Sequence, residues 1–337
     1  MKRITLTSLA IFALCTSCVK QTNFLQEERV VEARLMPSLT SVTTKALVDD
    51  SNITDETIRV NVSKADGTTS YTTPGDAKYT LAHDGASWSL SSALYLSADN
   101  ATIFAYSPCP ADPTTVETGS YNTLKRLLDI PSTQAMSSQV DYLWSCQNKT
   151  IAAAGNDINS TNPSVQLTMN HALALVSFVI YKEDYSGTGA ISQFSISDLS
   201  ASPVLTVNKA LANDLSLQIA DGVIIGGENV SQIIINEVGN TISETSLVEV
   251  DPEVLKTKVN AYALIVPATI ADKTDAQFEF NIDSKDYTVA LSGVGSVEWV
   301  AGQQYIYKVK LTGTQMMIES VTVTPWTNNY SGEVIIS

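Results

Sequence analysis

Residues 30–62, VVEARLMPSLTSVTTKALVDDSNITDETIRVNV, decide how the rest of the chain is interpreted. The stretch begins with an alternation that places Val31, Ala33 and Leu35 on one face of an extended chain. A period of two is typical of a half-buried β-strand. Residues 58–62 alternate in the same way, and a polar, acidic connection lies between the two segments. The stretch therefore predicts two strands that are joined by a surface loop.

The predicted loop contains one basic residue, Lys45, shortly before an acidic run. Exposed loops are preferred sites of proteolysis, so a trypsin-like protease is expected to cut between Lys45 and Ala46. Removing the strand would leave a groove with unpaired backbone groups, which a strand from another chain would fill. An ordinary first strand followed by an ordinary surface loop is the alternative interpretation of the same residues.

Composition limits the classes of protein to which the chain can belong. Its 337 residues are enough for two domains, and 44% hydrophobic against 16% charged residues indicates a globular protein. A formal net charge of −15 repels phosphate backbones, so nucleic acid is excluded as a partner. The sequence contains two histidines and no G-x-S-x-G, H-E-x-x-H or glycine-rich phosphate-binding motif. We therefore expect no enzymatic activity, no catalytic residue, no cofactor and no metal site.

Residues 1–17 have the properties of a secretory signal peptide. Two basic residues precede a mostly apolar run, 4–14, which is too short to span a bilayer, and small residues follow it. The segment ends on Cys18 and resembles a bacterial lipobox, apart from Cys15, which stands where Leu is usual. The resemblance implies lipidation of Cys18, with palmitate among the acyl chains, and a lipidated tether over 18–29. A plain signal peptide with an incidental cysteine is the alternative.

The remainder of the chain predicts an all-β fold, because many short apolar segments alternate with turn signals. The predicted strands are 58–62, 78–81, 87–90, 101–106, 140–144, 170–181, 191–196, 215–219, 232–235, 262–266, 276–282, 287–291, 305–311 and 317–323. A hairpin turn is expected at 283–286, and a short helix is expected only at 121–128. A polar run at 155–162 suits a linker, so we expect an N-terminal domain over 30–168 and a C-terminal domain over 169–337.

Three residues within the predicted domains need an interpretation of their own: Cys109, Cys146 and His171. Outside the cytoplasm the two cysteines can form a disulfide, but two separate buried thiols also fit the sequence. A histidine that enters an apolar strand is usually a hydrogen-bonded structural residue, and the sequence suggests no nucleophile or acid to form a triad with it. We therefore expect a structural role for His171.

Six short motifs occur in the order that is found in a known family. They are Ala105-Tyr106-Ser107-Pro108, Asp141-Tyr142-Leu143-Trp144, Asn170-His171-Ala172-Leu173-Ala174, Ile265-Val266-Pro267, Ala301-Gly302-Gln303-Gln304-Tyr305-Ile306-Tyr307 and Val323-Thr324-Pro325-Trp326. Together with the lipobox, these motifs resemble the fimbrillin family, whose members are type V pilus subunits of Bacteroidales-group bacteria. The resemblance runs from the lipobox to the C-terminus. It implies two transthyretin-like β-sandwich domains in tandem.

The resemblance also implies a route of maturation and assembly. The chain would be exported through the inner membrane, anchored in the outer membrane as a lipoprotein, and freed of its first strand, 30–45. It would then polymerise by donor-strand exchange into a cell-surface fimbria that serves adhesion. Lys45 stands where the family often has arginine, which suits a trypsin-like enzyme but not a strictly arginine-specific one. The implied donor strand is the C-terminal piece, 316–337, which would swing out to fill the groove of the next subunit and includes Val334, Ile335 and Ile336.

The implied partners are other fimbrillin subunits, in a homopolymer or as pilus co-subunits, a trypsin-like maturation protease, and the outer membrane through the lipid anchor. A head-to-tail interface does not close on itself, so strand exchange of this kind builds a filament. The alternative to a structural subunit is a non-polymerising surface lipoprotein, either a pilus anchor or an adhesin for glycans or host proteins. An anchor would keep its first strand and its lipid.

Overall fold

The computed structural model describes residues 31–39, 53–72, 77–147, 157–208, 215–248 and 251–326. The predicted sites at Cys18, Lys45, Ala46 and residues 334–336 lie outside the described residues. Within the described ranges the regular structure is almost entirely β-strand, which confirms the predicted all-β fold class.

Twelve strands occur between residues 31 and 171 of the described ranges. They are β1 (Val31–Glu32), β2 (Arg34–Leu39), β3 (Ile58–Lys64), β4 (Lys78–His83), β5 (Trp88–Leu90), β6 (Tyr95–Leu96), β7 (Ala101–Ser107), β8 (Glu117–Thr118), β9 (Lys125–Leu127), β10 (Thr133–Ala135), β11 (Leu143–Gln147) and β12 (Ser164–His171). Short 3-10 helices lie at Ile53–Asp55, Pro113–Thr115, Tyr121–Thr123 and Met136–Ser138.

Fourteen strands follow in the rest of the described chain. They are β13 (Ala174–Lys182), β14 (Ile191–Asp198), β15 (Leu205–Val207), β16 (Ser216–Gln218), β17 (Ile224–Ile225), β18 (Glu228–Val230), β19 (Gln232–Asn236), β20 (Ala261–Ile265), β21 (Ala268–Ile270), β22 (Ala276–Ile282), β23 (Lys285–Ala290), β24 (Val297–Trp299), β25 (Gln303–Leu311) and β26 (Met316–Pro325). A five-residue helix, α1 (Pro252–Lys256), and a 3-10 helix at Lys273–Asp275 complete this part.

The first large sheet contains seven strands in the order β2-β12-β11-β7-β3-β4-β5. β2 lies at one end of this order and runs parallel to β12, whereas the other neighbouring pairs are antiparallel. The short strand β1 pairs with β6, so residues 31–39 connect two sheets. Val60, Val62, Leu81 and Ile103 belong to the apolar core on one face of the large sheet.

β3 is buried on both faces, although its sequence predicts a half-buried strand. The three apolar residues of its alternation are fully buried, as predicted, but Arg59 and Asn61 between them are buried as well. Their cross-strand neighbours on β7 are Tyr106 and Phe104, which belong to a second apolar cluster. The sheet is therefore covered on both faces at this point.

Two further sheets, β20-β13-β25-β26 and β10-β19-β14-β22-β23, enclose a large apolar core. Aromatic rings occupy its centre: Phe178 of β13 lies 4.9 Å from Phe278 and 5.0 Å from Phe280, ring centre to ring centre, in edge-to-face contact. Tyr307 of β25 stacks on Phe178 at 5.5 Å. Two sheets that share a core in this way form a β-sandwich.

Strand pairs also link the two halves of the chain. β10 pairs in parallel with β19, and β9 pairs antiparallel with β16. The apolar cluster that contains Tyr106 and Phe104 draws on both halves, with Tyr142 and Cys146 from the first and Leu264 and Trp326 from the second. We call this cluster the junction core. Backbone pairing and shared side-chain burial therefore both join the halves.

The apolar run at 170–181 forms parts of two strands and not the single strand that was predicted. Ala172 and Leu173 separate β12 from β13, and the two strands belong to different sheets. The amide of Ala172 donates to the carbonyl of Tyr142 at 2.8 Å, and the carbonyl of Leu173 accepts from the amide of Gly302 at 2.9 Å. The sequence does not signal the break, because Ala172 and Leu173 are apolar and buried like the residues of β13 that follow them.

The helix predicted at 121–128 is wrong. Tyr121 begins a 3-10 turn with a φ of 54°, outside the right-handed helical region, and the chain continues as β9. β9 pairs with β8 on one side and with β16 on the other. Leu124 and Leu128 are buried, so their helix-like spacing of four is satisfied within a sheet. Tertiary pairing has overridden the local helix propensity.

The hairpin turn predicted at 283–286 is confirmed. Asp283 and Ser284 connect β22 to β23 as a two-residue loop, with φ values of 50° and 64°. Positive φ at both positions is what a type I′ turn requires. The Asp283 carboxylate also accepts a hydrogen bond from the Tyr185 hydroxyl at 2.7 Å, which fixes the turn against the segment before β14.

Candidate assembly site

The first strand lies at the edge of the seven-stranded sheet. β2 pairs with β12 in six parallel register positions, 34–39 opposite 164–169. On the other side β1 pairs with β6, and the amide of Ala33 donates to the carbonyl of Leu94 at 2.7 Å. The segment thus bridges β12 and β6 at the end of the strand order.

Burial along the first strand alternates as the sequence predicts. Ala33 and Leu35 are 7% and 4% exposed and belong to the same apolar cluster as Leu167 and Met169 of β12. Met36, which points the other way, is 40% exposed. Full burial of a leucine side chain contributes about 1.5–3 kcal/mol. Burial of Leu35 and the backbone pairing therefore both hold the strand in place.

The strand pairing defines what removal of residues 31–39 would expose. In the described part of the chain, no strand pair other than those with β6 and β12 depends on this segment. Its loss would leave one edge of β12 unpaired beside the apolar side chains of Val165, Leu167 and Met169. We call this edge, with those three side chains, the acceptor groove. An open strand edge beside apolar side chains is suited to accept an added strand.

The predicted donor segment, 316–337, begins with a strand that is built into the fold. β26 pairs antiparallel with β25 along its whole length. Glu319 of β26 accepts a hydrogen bond from the Tyr181 hydroxyl at 2.6 Å and lies 3.4 Å from Nζ of Lys308. Releasing β26 would break these contacts. The part of the predicted donor that lies beyond the strand is therefore 327–337.

A buried histidine lies where β12 ends and the C-terminal tail begins. Nδ1 of His171 is 3.0 Å from a carboxylate oxygen of Asp141, and its ring stacks on Trp326 with ring centres 3.8 Å apart and planes 7° from parallel. The side chains of His171 and Asp141 are 2% and 0% exposed. The predicted hydrogen bond of His171 is confirmed. The amide of Trp326 also donates to the carbonyl of Gly302, so four of the six sequence motifs meet at this point.

An ion pair that the sequence does not predict connects β3 of the first large sheet to β8 of another sheet. Nη2 and Nε of Arg59 donate to the two carboxylate oxygens of Glu117 at 2.8 and 3.0 Å, and the Tyr106 hydroxyl donates to Glu117 at 3.1 Å. Burial disfavours the charged carboxylate, but the hydrogen bonds and the charge of Arg59 outweigh it and lower the pKa of Glu117. The partners are 58 positions apart, so no local pattern signals the pair.

Cys109 and Cys146 are two buried thiols, and the disulfide considered from the sequence is not formed between them. Cys146 lies opposite Phe104, whereas Cys109 follows the end of β7 at Ser107. Three residues of strand rise by about 10 Å, which exceeds the Cα separation of about 7 Å that a disulfide can bridge. Burial raises the pKa of both thiols, to about 11 for Cys146, so both are protonated at neutral pH.

In the described residues, other kinds of functional site have less support than the acceptor groove. They contain no cluster of three His, Cys, Asp or Glu side chains that could hold a metal ion. No helix in the same part of the chain is long and apolar enough to cross a membrane. A polar pocket of about 150 Å³ lies on the outer face of β14 and β22, among Gln193, Glu279 and Asn281. Among the described residues, the best candidates for a functional site are therefore the acceptor groove and Trp326, after which the tail begins.

Residues 44–326 match the sequence pattern of the family described as fimbrillin-like. The chain belongs to the fimbrillin-like family. The match begins beside the predicted cleavage position and ends at Trp326, one residue after β26, so it excludes both 31–39 and 327–337. Membership of the fimbrillin-like family supports a role in a fimbria or in adhesion at the cell surface. A comparison with curated proteins found no match.

Several solved structures share the fold of this fimbrillin-like chain. A candidate cell adhesion protein from Bacteroides uniformis is 18% identical with a TM-score of 0.55, over 88% of this chain and 99% of that one. A candidate cell adhesion protein from Bacteroides ovatus is 13% identical with a TM-score of 0.56, over 90% and 99%. A fimbrial protein from Bacteroides vulgatus is 13% identical with a TM-score of 0.55, over 88% and 99%. Similarity at these identities establishes the fold alone.

Proposed function

We propose that this chain is a structural subunit of a type V fimbria, matured by cleavage after Lys45 and polymerised by donor-strand exchange. The precursor is exported as a lipoprotein on Cys18, reaches the outer membrane and is incorporated into a cell-surface fimbria that serves adhesion. Its partners are other fimbrillin subunits, a trypsin-like protease and, through the lipid, the outer membrane. Two transthyretin-like β-sandwich domains in tandem, 30–168 and 169–337, form the body of the subunit.

The observation that carries the proposal is the position of the first strand. Residues 31–39 end the strand order of the seven-stranded sheet, so a cut after Lys45 frees them without breaking another described strand pair. Their departure opens the acceptor groove. The family match over 44–326, which excludes the first strand, supports this division of the chain.

The donor in this proposal is the tail, 327–337, of a second subunit. It follows Trp326 and contains Val334 and Ile336, two positions apart, and in any extended strand residues at this spacing face the same side. Ala33 and Leu35 of the first strand have the same spacing, so the two tail residues can cover the same apolar side chains of the groove. Main-chain hydrogen bonds to β12 provide affinity, and the apolar side chains fix the register.

Limited trypsin digestion of the folded chain that lacks residues 1–18 tests the proposal. We expect a new N-terminus at Ala46 and, once the cut protein is concentrated to about 1 mM, a ladder of detergent-resistant multimers on unboiled gels. Lys45→Gln is the matched control, because it removes the cleavage position without touching the groove, and it should stay monomeric. Deletion of 332–337 should leave the cut unchanged and abolish the ladder.

Each result separates the proposed role from an alternative. A folded chain that is not cut after Lys45 would favour a non-polymerising surface lipoprotein. A cut without a ladder would favour a tip or anchor subunit, or one that needs a co-subunit. A ladder that survives deletion of 332–337 would contradict the tail as the donor. Uptake of labelled palmitate by Cys18→Ala would contradict the lipid anchor.

A further inference from the structure

The C-terminal tail leaves the fold beside the acceptor groove of its own chain. Trp326, the last described residue, stacks on His171 with ring centres 3.8 Å apart, and His171 is the last residue of β12. The groove ends at Met169, two residues earlier on that strand, which corresponds to about 7 Å. The tail therefore begins close to the acceptor groove of its own chain. Under the proposed function, the tail fills this groove only in other subunits.

The length of the tail matches the length of the groove. Residues 327–337 extend over at most about 36–40 Å. The paired positions of β12, 164–169, occupy about 20 Å of strand. After the step of about 7 Å from Trp326 to the level of Met169, the tail can still cover the whole groove.

The direction of approach sets the orientation of the pairing. β26 is antiparallel to β25, and β25 is parallel to β13, so β26 ends at the junction of the two halves. A tail that starts there meets β12 at its C-terminal end and extends from Met169 toward Ser164. It therefore pairs antiparallel with β12, whereas the first strand pairs in parallel.

We propose that, once the segment before Ala46 has left, the C-terminal tail fills the acceptor groove of its own chain and holds the mature subunit as a self-filled monomer. This inference rests on the proposed function, because the groove opens only when the first strand has gone. A tethered segment acts at an effective concentration in the millimolar range. With subunits at about 10 µM, the chain's own tail is favoured about a hundredfold over the tail of another copy. Subunits then polymerise where their concentration is high. A dilute subunit stays a monomer, with its own tail in the acceptor groove.

Hydrogen exchange measured by mass spectrometry tests the inference on the protein cut after Lys45. The peptide that covers 164–171 reports on the edge of β12. In the mature monomer at about 10 µM we expect this peptide to be protected, and to remain equally protected after roughly tenfold dilution. Deletion of 327–337 should accelerate its exchange at least about tenfold. A second variant combines Val334→Asp with Ile336→Asp and keeps the tail at its full length. It should also accelerate exchange of this peptide.

The uncut protein provides the matched control. In that form β2 occupies the groove, so deletion of the tail should leave exchange of 164–171 unchanged, which shows that the variant is folded. Equal exchange in the mature monomers with and without the tail would overturn the inference. Protection that appears only with multimers and is lost on dilution would also overturn it, while leaving the proposed donor-strand exchange intact. Absence of a cut after Lys45 would overturn both proposals.

Discussion

Replacing Leu35 by Ala should loosen the first strand without unfolding the rest of the protein. Leu35 is 4% exposed and belongs to the same apolar cluster as Leu167 of β12. The substitution removes three buried carbons at about 0.8 kcal/mol each, so the strand loses about 2–3 kcal/mol of stabilisation. Because 31–39 lies at the end of the strand order, the loss should appear as local opening of this segment and not as global unfolding.

The hydrogen exchange of 164–171 reports this opening, because these residues pair with the first strand. A loss of about 2–3 kcal/mol raises the open population roughly 30- to 140-fold. Met36→Ala is the matched control: the residue is a direct neighbour but 40% exposed, so its effect should stay within about 0.5 kcal/mol. Equal effects of the two substitutions would refute the reasoning. So would a lower unfolding midpoint of the whole protein with no change at β12.

Substitutions of buried groups away from the first strand should change the stability of the whole protein and not open one segment. Arg59→Ala should lower the free energy of unfolding by about 1.5–3 kcal/mol in denaturant titrations, because the buried carboxylate of Glu117 loses two charged hydrogen bonds and keeps only Tyr106 and the more distant Lys78. Folding lowers the pKa of Glu117. The carboxylate therefore stabilises the fold at pH values above its unfolded pKa, and this stabilisation is lost as the pH falls through the folded pKa. Unfolding midpoints measured against pH test this prediction. In the chain that lacks residues 1–18, Cys109 and Cys146 should give two reactive thiols after denaturation without a reductant; a count of zero would indicate a disulfide. Trp326→Ala removes a fully buried stacked ring and should cost about 3–5 kcal/mol in the same denaturant titration, and a loss below about 1 kcal/mol would contradict the packing at the junction.

Alternation predicts strands well where one face of a sheet lies on a core and the other faces solvent. The strand at 276–282 was predicted with the bounds that it has, and its buried residues alternate along its whole length. Arg59 and Asn61 of β3 show where this signal fails. Their polar side chains suggest a solvent face, yet a second apolar cluster covers them. A sequence pattern records side-chain polarity, and it does not reveal that a distant segment will supply a partner and exclude water.

The candidate site could be predicted in its parts but not in its arrangement. The alternation around Ala33 and Leu35 predicts a strand with one buried face, and that face is observed. The parallel pairing with β12 depends on residues far along the chain, and nothing in the first strand specifies them. The same is true of His171 and Trp326, because each motif is visible in the sequence but their stacking follows only from the fold. Local patterns therefore predict the elements, whereas tertiary contacts decide that the tail leaves beside the groove.

The orientations of the first strand and the tail relative to β12 favour replacement of the first strand by the tail. Parallel pairs are slightly less stable per residue than antiparallel pairs, and the first strand pairs with β12 in parallel. In the tail, Val334 and Ile336 replace Ala33 and Leu35, which adds about two buried carbons and about 1.6 kcal/mol. The tail is then the better match to β12 itself. In the uncut chain the first strand keeps its place because it also pairs with β6 and is tethered through the loop that contains Lys45, a tether that the tail of another subunit lacks. Cutting that tether removes the advantage of effective concentration without altering the groove. Cleavage of the loop, and not a change in the acceptor itself, therefore decides which strand β12 binds.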